Sequence, residues 1–575
     1  MKKYIILFFI LILGVSTASS QDKNVIIKLY HTTDVHGNFF PFDFINNRPS
    51  KGSFARVSTY MNAQRLEFGD RVLLLDGGDL LQGQPCVYYS NFVDVKSTHL
   101  CAAVMDYIGY DAAAMGNHDI ETGHAVYDRW IKDCNFPILG ANILTKDSKP
   151  YLPPYHIFVK DGVKIAVIGM LTQAIPAWLP ENLWEGLRFA DIEDTARQLL
   201  PIIEAKEKPD LIVGLFHTGV QTGEVAGFKE SVGLDVARQV PGFDIVFCGH
   251  DHTPFNEKIV NIAGDSVLVI NPANAANRIS DVMVQAVIRD GKVINKSVSG
   301  EIVDISEIEP DEAYMRYFAK AYQNTMDYVN AEIGEFTETV SVEDAFFGPS
   351  AFIDLLHDLQ LKLTKAEVSL VAPLSMNSEI KAGKVYMRDM FNLYKYENLL
   401  YTMMLTGKEI RDALEYSAGL WTNQMTSEDD HLLHIELNSY NNQYRFVKPF
   451  FAFDSAAGIR YTIDVTKPIG ERVQIISMAN GEPFNEANNY RVAVNSYQGS
   501  GGGGILTEGS GIPREKLTER IVFSTDKDLR FYLAEEIKKA GVVKPQSFNE
   551  WKFIPETWVE KAAARDRELL FGGKK

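Results

Sequence analysis

Val25-Ile26-Ile27-Lys28-Leu29-Tyr30-His31-Thr32-Thr33-Asp34-Val35-His36 sets the pattern from which the fold is read: an apolar run that leads, within a few residues, into two metal-ligand side chains. The pattern recurs along the chain. Residues 72–75 lead into Gly78-Asp79, and residues 112–115 into Gly116-Asn117-His118-Asp119. Residues 211–216 lead into His217-Thr218, and residues 245–248 into Gly249-His250-Asp251-His252. Apolar β-branched runs of this length read as buried strands of a sheet covered on both faces. In open α/β sheets, ligands sit beyond the carboxyl ends of the strands. Five strand ends would then meet at one crevice, each bringing His, Asp or Asn.

Working outward, residues 165–169 form a further strand candidate, and residues 53–66 and 191–205 have helical patterning. The alternation over 25–305 predicts a layered α/β domain. A chain of 575 residues exceeds one ordinary domain, so a second is expected. Residues 306–335 are polar and helix-favouring, and read as a linker helix. Residues 336–560 have an α+β texture, with helices at 352–364 and 407–419 and strands at 459–465, 473–478 and 490–495. Near the end of that domain lies Gly499-Ser500-Gly501-Gly502-Gly503-Gly504. Residues 561–575 are charged and are expected to fray.

Residues 1–20 read as a secretory signal. Lys2 and Lys3 precede the apolar stretch 4–15, and small residues follow with cleavage near Ala18 to Ser20. The stretch is shorter than the roughly 17–25 residues a spanning helix needs, which disfavours the other reading, an uncleaved anchor. The mature protein is therefore expected to be exported, most simply to a periplasm, with no membrane association after cleavage. Export permits disulfides among Cys86, Cys101, Cys134 and Cys248, whose spacing matches no zinc motif. Cys248 ends an apolar run and is expected to be a buried free thiol. The formal net charge of −18, from 57 basic and 75 acidic side chains, argues against a nucleic-acid polymer or an anionic membrane as partner. It leaves open a small anionic substrate, because bound metal ions would dominate the local field.

Imidazole and carboxylate ligands suit Zn, Mn, Fe or Ni. Asp79, with two oxygens and a full charge, can bridge two ions, and Asn117 is a neutral oxygen ligand. Two such ions clamp the oxygens of an in-line displacement and activate a water as nucleophile, which is the chemistry of phosphoester hydrolysis. His118 follows a ligand candidate and could protonate a leaving oxygen. Each motif alone is ordinarily structural: a satisfied histidine, a helix cap or a turn. Five in this order are not. In the second domain, Tyr394-Lys395-Tyr396-Glu397-Asn398 and Asn495-Ser496-Tyr497 could stack a base, or could be core tyrosines beside a mobile glycine loop.

The order Asp-x-His, Gly-Gly-Asp, Gly-Asn-His-Asp, His-Thr and Gly-His-Asp-His resembles the calcineurin-like metallophosphoesterase superfamily. Within it, the chain is similar to the exported 5′-nucleotidase / 2′,3′-cyclic-nucleotide phosphodiesterase family over nearly all of its mature length. The resemblance implies an α/β layered sandwich followed by an α+β C-terminal domain that reads the nucleotide. It implies two divalent metal ions, Mn, Zn or similar: one held by Asp34, His36, Asp79 and His252, the other by Asp79, Asn117, His217 and His250. It makes His118 the catalytic histidine. Relatives often place an Asp three residues later to orient it, and here that position is Glu121. It also places Tyr396 and Tyr497 around the base and Asn398 on the nucleoside, with Phe453 and Asp454 close by, and sets the hinge of a rotating second domain in the linker. Family 5′-nucleotidases carry Gly-Gly-x-Arg where this chain has Ala372-Pro373-Leu374-Ser375-Met376-Asn377. The missing arginine and the Tyr-x-Tyr-x-Asn motif lean towards 2′,3′-cyclic and 3′-nucleotides over 5′-nucleotides. The alternatives are a nucleotide-sugar (UDP-sugar) or thiosulfate-ester hydrolase of the same fold and, outside enzymes, an exported metal- or nucleoside-binding protein. The sequence is silent on oligomeric state.

Overall fold

The five apolar runs are strands, but they lie in two sheets rather than one. The computed structural model describes residues 22–438 and 442–572, so the expected signal segment lies outside the described residues. Lys23–Thr32, Val72–Asp76 and Ala112–Ala114 run parallel in the first six-stranded sheet. Leu211–His217 and Ile245–Cys248 run parallel in the second, beside Val163–Leu171. Antiparallel strands edge each sheet: Arg278–Arg289 and Lys292–Asp304 on the first, Phe255–Val260 and Tyr155–Lys160 on the second. A run buried on both faces has the same composition whether a helix or another sheet covers it. Composition therefore could not separate one sheet from two.

The sheets pack face to face. Ile27, Leu29 and Leu73 of the first sheet share a fully buried layer with Val167, Val213 and Leu215 of the second. The alternate residues point outward beneath helices. Tyr30 and Leu74 sit in the cluster under Phe54–Phe68 and Leu100–Ile108, and Ile168 and Val246 in the cluster under Ile192–Glu207 and Gly233–Gln239. The result is an α/β/β/α sandwich whose two sets of strand ends open at the same edge.

The C-terminal half is built around a five-stranded mixed sheet ordered Ser455–Ala457, Val368–Val371, Asn489–Asn495, Leu400–Thr406, Ile521–Ser524. Helices Ala351–Thr364 and Gly407–Trp421 pack on it. Two expectations need correction. The linker is not one helix: Glu312–Tyr317 and Ala319–Val329 are separated at Phe318, and the strand Glu332–Phe336 follows. Phe318 is buried against Tyr314 and Tyr107, and this anchorage redirects the chain there. The charged terminus does not fray over its described part. Glu556–Phe571 is a helix that buries Val559, Ala562 and Leu570, spaced to share one face. Its buried Asp566 accepts from His431 and from the backbone N–H of Leu433 at 2.9 Å. All four cysteines are free, and Cys248 is buried.

Gly169 lies where the two sheets approach closely. A Cβ built there would sit 2.4 Å from Leu139 Cβ and 2.8 Å from its carbonyl oxygen. Forcing a side chain into such a packed contact costs about 1–3 kcal/mol. Gly169→Val is expected to lower the urea midpoint by the equivalent amount with an unchanged slope, measured by fluorescence.

Candidate metal centre and adjoining cavity

At the shared edge, five residues that carry ligand atoms adopt left-handed backbone: Asp34 (φ 51°), His36 (50°), Asp79 (60°), His250 (71°) and His252 (54°). Non-glycine residues hold that conformation at a cost of about 1–3 kcal/mol each, where their surroundings over-determine it. Here the loops hold each other. The Asp34 and His36 N–H groups donate to the carbonyls of Gly78 and Asp79 at 2.8 and 3.0 Å. The buried Asp119 carboxylate accepts from the N–H groups of Asp79, Leu80, Leu81 and Gly116. The His250 N–H reaches Asp34 Oδ2 at 3.0 Å, and the His118 N–H reaches Asp79 Oδ1 at 2.8 Å. The four ligand-bearing turns, at 34–36, 78–81, 116–118 and 250, are thus tied together through main-chain carbonyls and the Asp34, Asp79 and Asp119 carboxylates.

The seven expected ligands come together in two adjoining groups. Ligand atoms of Asp34, His36 and His252 lie within 4.8 Å of one another, as do those of Asp79, His217 and His250. Asn117 Oδ1 joins the second group, 2.8 Å from His250 Nδ1 and 3.1 Å from His217 Nε2. Asp79 Oδ2 lies 3.2 Å from His217 Nε2 and 4.0 Å from His36 Nε2, so it faces both groups. That is the position a bridging carboxylate requires.

The donor set tests whether cations fit. His36 Nδ1 is 3.2 Å from the Gln82 carbonyl, and His217 Nδ1 is 2.8 Å from the Gly77 carbonyl. His250 Nε2 is 2.9 Å from Glu230 Oε1. A carbonyl or carboxylate accepts only, so these outer nitrogens carry the hydrogens and the inner ones present lone pairs. His36 Nε2 then faces His252 Nε2 at 3.1 Å. The Asn274 amide lies 3.3 Å from His252 Nδ1, so with no ion the His252 Nε2 hydrogen faces His36 Nε2 and Asp34 Oδ1. This set of imidazole nitrogens and a carboxylate suits a divalent ion, which would take that hydrogen's place. Burial, the largest influence, lowers His36 to about 4, consistent with a neutral ligand. Burial also opposes charge on His217, but Asp79 outweighs it and lifts His217 to about 10. That nitrogen demands a positive partner against Asp79, which a metal ion supplies in place of a proton.

His118 and Glu121 share the short helix Asn117–Glu121, three residues apart. His118 Nδ1 donates to Glu121 Oε2 at 2.5 Å. The longer Glu side chain therefore does reach the histidine. Burial alone would lower His118; Asp79, Glu121 and Glu397 outweigh it and raise it to about 9.

The second group borders a cavity of about 820 Å³ that also runs along the C-terminal half. Asn117, His118 and His250 line one end, and Tyr396, Asn398 and Tyr497 line another part of the wall. A Cβ on Gly502 would lie 2.5 Å from the Tyr497 ring, so the glycine stretch seats that ring closely instead of forming an unattached loop. Phe453 and Asp454 do not join the cavity wall. Phe453 is stacked on Trp421 in the core, and Asp454 is buried against Gln498. Phe451 is the aromatic of this segment that lines the cavity, edge-on to Tyr497 at 6.1 Å.

Sequence reading did not single out Glu230, Trp178 or Asp119. Trp178 lies 5.5 Å from the His250 ring. Asp119 stood inside a quoted motif, but Glu230 and Trp178 carried no local signal. Removing the outer partner of a metal-binding histidine typically costs 10–100-fold in metal affinity. Glu230→Ala is expected to weaken binding of the more loosely held Mn²⁺ by about that factor, as read by isothermal titration on metal-stripped protein.

Residues 27–254 match the calcineurin-like phosphoesterase family, and residues 332–508 match the 5′-nucleotidase C-terminal domain. A trifunctional nucleotide phosphoesterase protein of Bacillus subtilis is 26% identical, over 93% of this chain and 39% of its own length. A 2′,3′-cyclic-nucleotide 2′-phosphodiesterase/3′-nucleotidase of Haemophilus influenzae is 26% identical, over 94% of this chain and 90% of its own. A Staphylococcus aureus crystal structure described as a 5′-nucleotidase in complex with α-ketoglutarate superposes with a TM-score of 0.74 at 23% identity. It covers 92% of this chain and 100% of that one, and speaks to the fold alone. With the ligand geometry and both family matches in register, the chain belongs to the calcineurin-like metallophosphoesterases that carry a 5′-nucleotidase C-terminal domain, a family of metal-dependent phosphoester hydrolases.

Proposed function

We propose that this protein is an exported dinuclear-metal hydrolase of nucleotide phosphoesters that favours 2′,3′-cyclic and 3′-nucleotides. One observation carries the reading: Asn117 and His250 of the second ligand group, the adjacent His118, and the Tyr396, Asn398 and Tyr497 side chains border the same cavity, whose size suits a small organic substrate. The domain division at 306–335 belongs to the proposal, with chemistry assigned to 25–305 and nucleoside binding to 336–560. Export rests on the reading of residues 1–20. Among the described residues, no helix is long and apolar enough to cross a membrane.

Asp34, His36, Asp79 and His252 would hold one ion, and Asp79, Asn117, His217 and His250 the other. When bound, the ions supply Lewis acidity at the phosphoryl group and lower the pKa of water. The remaining work falls to the chain. Glu121 holds the His118 ring and keeps its proton, leaving Nε2 to donate to a phosphoryl or leaving-group oxygen. Tyr396 and Tyr497 offer partly exposed ring faces to a base, and Asn398 offers an amide. Asn398 Nδ2 also donates to Tyr394 Oη at 3.2 Å, which fixes the amide's orientation.

The preference for cyclic and 3′ substrates is supported by the stretch 372–377, where Leu374 and not a cationic side chain reaches the cavity. The Haemophilus influenzae relative bears the matching name over nearly its full length. The test is turnover of 2′,3′-cyclic AMP, 3′-AMP and 5′-AMP side by side with Mn²⁺, followed by chromatography. Higher kcat/KM on the first two is expected, and dominance of 5′-AMP would overturn the preference. His118→Ala is expected to lower kcat on every phosphoester by about 10²-fold or more. Base stacking is worth about 1–3 kcal/mol per ring, so Tyr396→Ala and Tyr497→Ala should each raise KM for nucleotides about tenfold, with a much smaller change for p-nitrophenyl phosphate.

A further inference from the structure

Glu397 lies between Tyr396 and Asn398 in sequence, and its side chain is 6% exposed. Its Oε1 accepts from Arg530 Nη1 at 3.2 Å. Arg530 is fully buried and held on every side. Its Nε and Nη2 donate to the carbonyls of Tyr394 and Lys395 at 3.1 and 2.9 Å. Its guanidinium lies over the Phe391 and Tyr88 rings, 4.0 and 4.9 Å from their centroids. The carboxylate is therefore fixed in place by a cation that has no freedom of its own.

The other oxygen, Oε2, is buried and has no hydrogen-bond partner among the described residues. Glu397 lines the cavity. A buried acceptor without a donor costs about 1–3 kcal/mol, so its persistence at a cavity wall marks a place where a ligand supplies the donor. The protein side chains nearest in charge do not supply one. Glu121 and Asp528 are acceptors as well, and both act on Glu397 electrostatically. Glu397 shares the cavity wall with Tyr396, Tyr497 and His118, along which the sugar of a bound nucleotide would lie.

The geometry points to Glu397 as a specificity-determining residue whose free oxygen accepts a hydrogen bond from a ribose hydroxyl of the substrate. The inference rests on the nucleotide reading above and deepens it. The ion pair with Arg530 pre-sets the acceptor, so no side-chain ordering is needed when the sugar arrives. A substrate lacking the hydroxyl leaves that oxygen unpaired, and a site built around a substrate hydroxyl rejects such analogues strongly. For 3′-nucleotides the available hydroxyls are the 2′ and the 5′, and the one deletion that is penalised identifies which of them reaches Glu397.

The full-length mature enzyme with Mn²⁺ is assayed on 3′-AMP, its 2′-deoxy and 5′-deoxy analogues, and 3′-IMP. The wild type is expected to favour 3′-AMP over one deoxy analogue by at least about tenfold in kcat/KM, as sites that pair a substrate hydroxyl do. In Glu397→Ala that ratio is expected to fall to within about threefold of unity. Glu397→Gln guards against loss of folding, because its amide oxygen can still accept from Arg530 while its NH₂ turns to the cavity. Because that NH₂ can still donate to a lone pair of the hydroxyl, the preference is expected to shrink there without vanishing. A wild type that makes no distinction, or a preference that survives both substitutions, would overturn the inference. A change confined to the ratio of 3′-AMP to 3′-IMP would overturn it too, by assigning the acceptor to the base. Wild-type turnover of p-nitrophenyl phosphate but of no nucleotide would instead defeat the nucleotide reading on which the inference stands.

Discussion

Imidazole nitrogens and carboxylate oxygens brought within hydrogen-bonding distance of one another are the constraint on which this structure turns. Three histidine nitrogens, oriented from behind by Gln82, Gly77 and Glu230, are aimed inward among two carboxylates and an amide oxygen. This arrangement is built on left-handed backbone at five non-glycine positions. It persists because the sandwich beneath is rigid and because Asp34, Asp79 and Asp119 tie neighbouring turns through their N–H groups. The fold spends conformational strain at its edge to hold a site that cations complete.

The second half of the chain gains meaning from the same edge. Tyr88, from the first half, packs into the core of the C-terminal half and donates to Asp528 at 2.7 Å. Arg514 donates to the carbonyl of Ala177 at 3.1 Å and to Ser500 at 2.7 Å, which joins the Trp178 segment to the glycine stretch beneath Tyr497. These contacts hold the cavity walls in mutual position, and among the described residues each hydrogen bond of Arg514 goes to a main-chain carbonyl. A guanidinium bonded only to carbonyls makes charge-assisted hydrogen bonds that fix geometry while leaving its charge unpaired.

Much of this was legible in the sequence, for a physical reason. Buried parallel strands need long apolar runs, and ligand residues must follow them closely because the site sits at the strand ends. Hence Asp34, His36, Asp79, Asn117, His217, His250 and His252 could each be picked out and are found together. What failed to show was whatever depends on tertiary approach. One sheet and two give the same residue pattern. The break at Phe318 comes from an aromatic anchor on Tyr107, far away in sequence. The helix Glu556–Phe571 looked like a charged tail because its apolar face is narrow and includes Asp566, whose partners lie in another segment. Glu230 and Trp178 reach His250 only by folding, and Phe451 rather than Phe453 meets the cavity because the turn Phe450–Ala452 presents it there.

The central claim, two cations sharing Asp79 between paired ligand sets, is tested most directly by anomalous diffraction at the manganese edge on crystals grown with Mn²⁺. The account predicts two peaks, one beside Asp34, His36 and His252, the other beside Asn117, His217 and His250, with the Asp79 carboxylate between them. A single peak, or two peaks not shared by Asp79, would contradict it.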